Sequence, residues 1–309
     1  MKELEWPSPF TRIGPAFPNE SDAHGGNCDE LHHGRSGLGV WCLNADGLLE
    51  DCSGTSFAAP LLSREAAIAF LELQRACAPG TRIYAATVKA FLALAAVPYP
   101  TKTRMRKLSE RTLGFGKTTA DRIANPTAES AVFIWQGLVQ HSDDIVRINV
   151  PIPREWLDTA DQPRLRIACA WDTPVNSAAR SRWGCRKMSV KLRPGAYGDA
   201  LDGSRAKHPI HPLWVRQFDL DRERLAAQQI KSPPETWILE VAYEQAADYL
   251  PSMEFAPQQR VGLALELFDA AEEGTSPQAA VQALPIAATL IRLSQSAVPI
   301  AVPIKVRGR

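Results

Sequence analysis

The sequence predicts a mixed chain: an α/β segment over residues 1–127, followed by an all-β antiparallel sandwich or jelly roll over residues 128–309. Three observations predict it. Two helical runs, residues 57–77 and 82–96, lie close together in the first part. Beyond residue 130, short runs rich in Val, Ile, Leu and aromatics recur between Pro, Gly and Asp clusters, the pattern of many short strands. With 45% hydrophobic and 22% charged residues, a chain of 309 residues has the apolar material for the cores of two domains.

Residues 1–53 read as loops and short strands, dense in Gly and polar residues. Asp46-Gly47 is a turn signal between candidate strands 38–43 and 48–52. The run 57–77 is rich in Ala and Leu with a narrow polar stripe of Ser63, Arg64, Glu72 and Arg75, which predicts a mostly buried helix. Pro79-Gly80 ends it. Thr81 is placed to cap the second helix, 82–96, which stops before Pro98 and Pro100. The basic run 102–107 reads as a solvated loop. The strand candidates are 131–139, 145–152, 164–171, 188–192, 214–220, 237–243, 261–268, 286–293 and 300–306. Alternation is clear in 164–171 and 261–268, as in half-buried strands. No internal repeat of fixed period is present.

A net charge of +1 offers no basic surplus for nucleic acid. No window reaches the roughly 18–20 apolar residues of a membrane helix, and the charged start at Met1-Lys2-Glu3 does not resemble a signal peptide. The expected location is the cytoplasm. Cys28, Cys42, Cys52, Cys77, Cys169 and Cys185 form no C-x-x-C pair, so reduced thiols are expected rather than a zinc site. Cys42 and Cys52 flank the predicted hairpin and are close enough in sequence to meet across it. No metal site is expected.

The segment that carries chemistry is Ser53-Gly54-Thr55-Ser56-Phe57-Ala58-Ala59-Pro60. Gly54 permits a tight turn that a Cβ would obstruct. Ser56 then falls in the first turn of a helix, where backbone N–H groups lack helical partners and a donor can stabilise an oxyanion. The helix dipole favours negative charge at the same place. Ala58 and Ala59 are small enough for the helix start to lie against neighbouring backbone, and Pro60 is expected in the first turn, where a missing N–H costs little.

This segment resembles the catalytic serine motif of the subtilisin-like serine peptidases, Gly-Thr-Ser-x-Ala-x-Pro, matched at Gly54, Thr55, Ser56, Ala58 and Pro60. Three further stretches are similar to the family: the Ser8 to Gly14-Pro15 turn, Leu113-Gly114-Phe115-Gly116, and the strand Leu165 to Asp172. The resemblance implies that residues 1–127 are the C-terminal part of a subtilisin-like doubly wound catalytic domain. It implies that Ser56 is the acyl-forming nucleophile and backbone oxyanion donor of a serine endopeptidase acting on peptide or protein. It further implies that calcium and an ATPase partner are options; no calcium-ligand run and no phosphate-binding loop appear in the chain.

A serine needs a base, and the base an orienting carboxylate. The family's Asp-Thr/Ser-Gly and His-Gly-Thr-x-Val-Ala-Gly motifs do not occur. The local candidates are His24 and Asp22, in a polar loop. His32, His33, His208 and His211 read as surface residues. The expectation is therefore a truncated or split form in which a second chain or other sequence supplies Asp and His. Such a part leaves its Ser-bearing helix partly uncovered. The alternative reading is an inactive remnant whose β-sandwich binds or stabilises, and which folds alone from residue 128.

Overall fold

The computed structural model describes residues 40–43, 45–52, 55–97, 117–124, 126, 130–141, 144–174, 186–195, 198–201, 212–228, 230, 237–245, 258–271, 275–282 and 291–293. Among them the chain is a mixture of helices and antiparallel sheets, as the sequence predicts at that level. Every strand pairing among the described residues is antiparallel.

Strands β1 (Val40–Leu43) and β2 (Leu49–Cys52) form a two-stranded hairpin around Gly47, whose φ of 76° explains the glycine. The register pairs Cys42 with Glu50 and Cys52 with Val40. The two cysteines on the predicted hairpin are therefore diagonal neighbours, about 7–8 Å apart at Cα. Helix α1 is Thr55–Ala76 and α2 is Ala85–Ala95. Two short strands, β3 (Ala96–Val97) and β4 (Lys117–Thr118), pair with each other, and α3 (Asp121–Ala124) follows.

The β-rich part forms two sheets. The larger has the order β12-β5-β11-β7-β9, with β5 at Ser130–Val139, β7 at Pro163–Trp171, β9 at Leu213–Asp219, β11 at Gln259–Asp269 and β12 at Ile291–Leu293. The smaller has the order β6-β10-β8, with β6 at Val146–Val150, β8 at Arg186–Pro194 and β10 at Trp237–Gln245. Seven of the nine expected strands of this part reappear with shifted ends, and an eighth shrinks to Ile291–Leu293. The candidate at 300–306, the basic run 102–107 and Gly114 to Gly116 lie outside the described residues. Three short helices, α4 (Arg154–Thr159), α5 (Arg222–Ala227) and α6 (Gln278–Gln282), occupy connections between the strands, where the sequence predicts no helix. Each is shorter than two turns, too little for a 3.6-residue period to register.

The strand alternation sorts side chains by size. On β11, Val261, Leu263, Leu265 and Leu267 point between the two sheets, with Ile167 and Trp171 of β7, Phe133 and Trp135 of β5, and Trp237 and Leu239 of β10. The opposite face of the same strands carries Ala264, Ala168 and Ala170, with Val132 and Ile134 of β5 and Leu213 of β9. Helix α2 lies on that small-residue face through Ala90, Phe91 and Leu94, and Ala69 and Leu73 of α1 join the same core. The layers are therefore helices, five-stranded sheet and three-stranded sheet. Small side chains let a helix approach a sheet closely, and Gly262 takes this furthest, since a Cβ there would overlap the backbone of Thr87 and Ala86.

The second helix departs from its predicted start. Thr81 does not cap it; its N–H closes a turn onto the Ala78 carbonyl, and the helix begins at Ala85 after Tyr84. The cap comes from the sheet. Gln136 Oε1 on β5 accepts the Tyr84 N–H at 3.1 Å and the Thr87 hydroxyl at 2.9 Å, while Gln136 Nε2 donates to the Arg82 carbonyl at 2.8 Å. A partner some fifty residues away leaves no local signal.

Candidate functional site

The candidate site is the junction of hairpin and long helix. β2 ends at Cys52, α1 begins at Thr55, and Ser56 is its second residue. The Ser56 N–H thus lies among the first four of the helix, which have no intrahelical acceptor. Pro60 is the sixth residue of α1 and so lies in its second turn, not in the first as expected. It offers no N–H to the Ser56 carbonyl, which a regular helix would pair four residues on. Ser56 therefore sits where the helix leaves both its own N–H and its own carbonyl without the regular helical bond. Ala58 is half-buried, while Ala59 and Pro60 are exposed. Gly54, Asp22, His24, His32, His33, His208 and His211 lie outside the described residues.

Helix α1 is not mostly buried as its composition predicts. Among its described side chains only Ala69, Glu72 and Leu73 are buried, and Leu61, Phe70 and Leu71 are exposed at 43%, 37% and 49%. The reason is the packing: α1 meets α2, α3 and β12 along one side. Ser63, Arg64 and Arg75 of the predicted polar stripe are exposed, and the Ser63 hydroxyl donates back to the Ala59 carbonyl at 2.9 Å. Glu72 departs from the stripe: it is buried and paired with Arg75 at 2.5 Å. Between α1 and α2 runs an apolar groove of about 700 Å³, lined by Leu62, Ala66, Phe70, Val88, Leu92 and Leu213.

A chain of polar contacts ties this helix to the sheet. Glu65 of α1 accepts the Ala120 N–H at 2.8 Å, just before α3. Arg122 of α3 donates to Glu266 of β11 at 2.8 Å and to the carbonyls of Leu94 and Ala95 at the end of α2. Arg166 of β7 donates to the Ala96 carbonyl at 3.0 Å. Two cations thus meet the last turn of α2, where helix carbonyls lack partners and the dipole is negative. Burial pulls the Arg166 guanidinium down to about 10, with Glu266 opposing that shift and Arg122 adding to it. None of these residues was a candidate from the sequence, because their partners are distant in the chain.

Among the described residues, no three His, Cys, Asp or Glu side chains gather where they could share a cation. Burial raises the Cys77 thiol, and raises the fully buried Cys169 thiol further. No described helix is long and apolar enough to cross a membrane.

No protein-family model matches the chain, and no curated protein matches it. A functional reading therefore rests on the residues themselves.

Proposed function

We propose that this chain is the serine-bearing part of a subtilisin-like serine endopeptidase, with Ser56 as the acyl-forming nucleophile. The observation that carries the proposal is the placement of Ser56 as the second residue of a 22-residue helix that follows a tight hairpin, within Gly54-Thr55-Ser56-Phe57-Ala58-Ala59-Pro60. In this reading the Ser56 hydroxyl attacks a peptide carbonyl and its proton passes to a histidine. The Ser56 N–H, free of a helical acceptor, donates to the developing oxyanion. The histidine and its orienting carboxylate come from further sequence or from a second chain, because the family's motifs for both do not occur in these residues. The substrate is a peptide or protein, in a reducing cytoplasmic setting that the sparse cysteines favour. The family's ATPase partner and calcium stay outside the proposal, since no residue here argues for either.

Fluorophosphonate labelling tests the reading. The reagent traps only a serine that a base has activated. Native protein from its own cells should label once, at Ser56, and Ser56→Ala should abolish the label. An unlabelled, folded native assembly would refute it. The second reading, a remnant whose sandwich binds or stabilises, draws on the core between the two sheets, which no described residue before 131 enters.

A further inference from the structure

We infer that Arg216 and Trp214, at the β8–β9 edge of the sandwich, form a binding site for a carboxylate. The site lies in the β-rich part and stands apart from the reading of Ser56.

β9 ends the five-stranded sheet on one side, and β8 ends the three-stranded sheet. On β9, Trp214 and Phe218 belong to the core between the sheets, so alternation turns Arg216 the same way. The register sets Arg216 opposite Ile167 and Trp214 opposite Cys169, both in that core. A guanidinium is a costly group to turn inward, and its surroundings do little to offset the cost. The Trp214 ring covers one face of it, with the guanidinium carbon 4.8 Å from the ring centroid. Nη1 donates to the Val190 carbonyl of β8 at 3.4 Å, a long bond across the two sheet edges. Arg216 Nε is shielded from solvent and has no hydrogen-bond partner. The same holds for Trp214 Nε1, on a side chain only 3% exposed. One stacked pair thus holds two buried donors without an acceptor.

Charge points the same way. Arg122 has Glu266 beside it, and Arg147 and Arg193 share Glu240. Among the described residues, no carboxylate pairs with Arg216. Burial lowers the pKa of this half-buried guanidinium, and Cys169 opposes that shift. Burial holds the Cys169 thiol well above its ordinary value, so it stays protonated at neutral pH and supplies no anion. The site therefore offers a cation and donors, and no acceptor.

The geometry selects the anion. With Nη1 engaged by Val190, the guanidinium edge that is left is Nε–H beside Nη2–H. Two parallel donors on one edge match the two oxygens of a single carboxylate. The stack on Trp214 fixes the plane of that edge, and the Trp214 N–H is a further donor beside it. The carboxylate reaches the pair from the side on which β8 and β9 each lack a further strand among the described pairings.

The test uses the full chain and thermal unfolding at constant ionic strength. Sodium acetate replaces sodium chloride as the probe for a free carboxylate. A tripeptide Ala-Glu-Ala, capped at both ends, probes an acidic side chain of another protein. A ligand that binds only the folded chain stabilises it by mass action, so the midpoint should rise and saturate with probe concentration. A larger rise with the tripeptide supports the site and assigns the carboxylate to a protein; a larger rise with acetate supports it and assigns a small molecule. Arg216→Met keeps the stem, removes the charge, and should abolish the rise. Trp214→Phe keeps the aromatic stack, removes only the N–H, and should weaken the apparent affinity about tenfold. It keeps the test decisive where Arg216→Met weakens the fold. Midpoints no higher in acetate and tripeptide than in chloride overturn the site, and mean that water serves these donors. An equal rise in Arg216→Met, or unchanged affinity in Trp214→Phe, also overturns it, because the anions then act elsewhere.

Discussion

Gly262 of β11 lies directly against Thr87 of α2, so close that a Cβ on Gly262 would overlap the Thr87 N and Cα atoms. The obstacle is helix backbone rather than a flexible side-chain end, so α2 itself would have to lift. Gly262→Val should therefore destabilise the chain by about 1–3 kcal/mol, the usual cost of overpacking a tight core. Urea unfolding checks this, with the midpoint falling and the slope unchanged. A midpoint equal to that of the unaltered chain would mean that α2 does not seat on β11 as described.

Arg122 and Glu266 form the charged link between α3 and β11, with Glu266 almost wholly buried at 4% exposure. Removing only the carboxylate leaves Arg122 and Arg166 as neighbouring cations with no anion between them. Glu266→Ala should cost about 3–5 kcal/mol, the range for orphaning a buried charge. The pair substitution R122M/E266L should cost distinctly less, because no charge is then stranded. Equal losses in the two variants, measured by thermal unfolding, would contradict this account.

Asp269, at the end of β11, organises two loops. Its carboxylate accepts the N–H groups of Asp161 at 3.1 Å, Gln162 at 2.9 Å, Ala271 at 3.2 Å and Thr275 at 3.0 Å. Burial pushes its pKa up, but these four donors outweigh burial and hold the carboxyl below its ordinary value. A depressed native pKa means that the unfolded chain binds more protons between the two values, so stability rises with pH there. The contribution is complete above the unfolded value of about 3.9 and disappears as pH falls through the native one. Asp269→Asn should cost about 1–3 kcal/mol at pH 7, since one amide oxygen cannot replace two carboxylate oxygens. That difference should vanish at the lowest pH at which the fold survives. A constant difference from pH 7 down to pH 3 would speak against the carboxylate as the cause.

Strand positions were legible where the period of two was strong. In 164–171 and 261–268 the large side chains alternate with Arg, Ala, Gly and Glu, and those strands appear where expected. The same alternation holds a second message, that the small residues mark a face for a helix. That message is weak in sequence alone, because Ala and Gly are equally common where no helix packs. Helix α1 was legible from composition, but its burial was not. Composition reports how apolar a helix is, and only the position of its neighbours decides which side is covered. The capping of α2 by Gln136, Arg122 and Arg166 was illegible for a different reason: each partner is brought by the sheet topology from a distant part of the chain. At the site, the helix start that holds Ser56 was legible, whereas Ser53, Gly54, Asp22 and His24 lie outside the described residues.

The helix layer also bears on where the chain can be cut. A piece of residues 128–309 would lack α1, α2 and α3. Val132, Ile134, Ala168, Ala170, Leu213 and Ala264, all buried against those helices, would then face water. Glu266 and Arg166 would lose Arg122 and the Ala96 carbonyl and would face water on the same bared surface. The large side chains between the two sheets would stay covered, so such a piece should retain strand structure. An exposed apolar patch of that extent promotes association. Residues 128–309 should therefore bind a hydrophobic dye and aggregate, whereas residues 55–309 should be monodisperse and unfold cooperatively. Light scattering and urea unfolding of the two pieces decide the matter. A soluble, cooperatively folded 128–309 piece would show that the sandwich does not need its helix layer and would favour the stand-alone binding module.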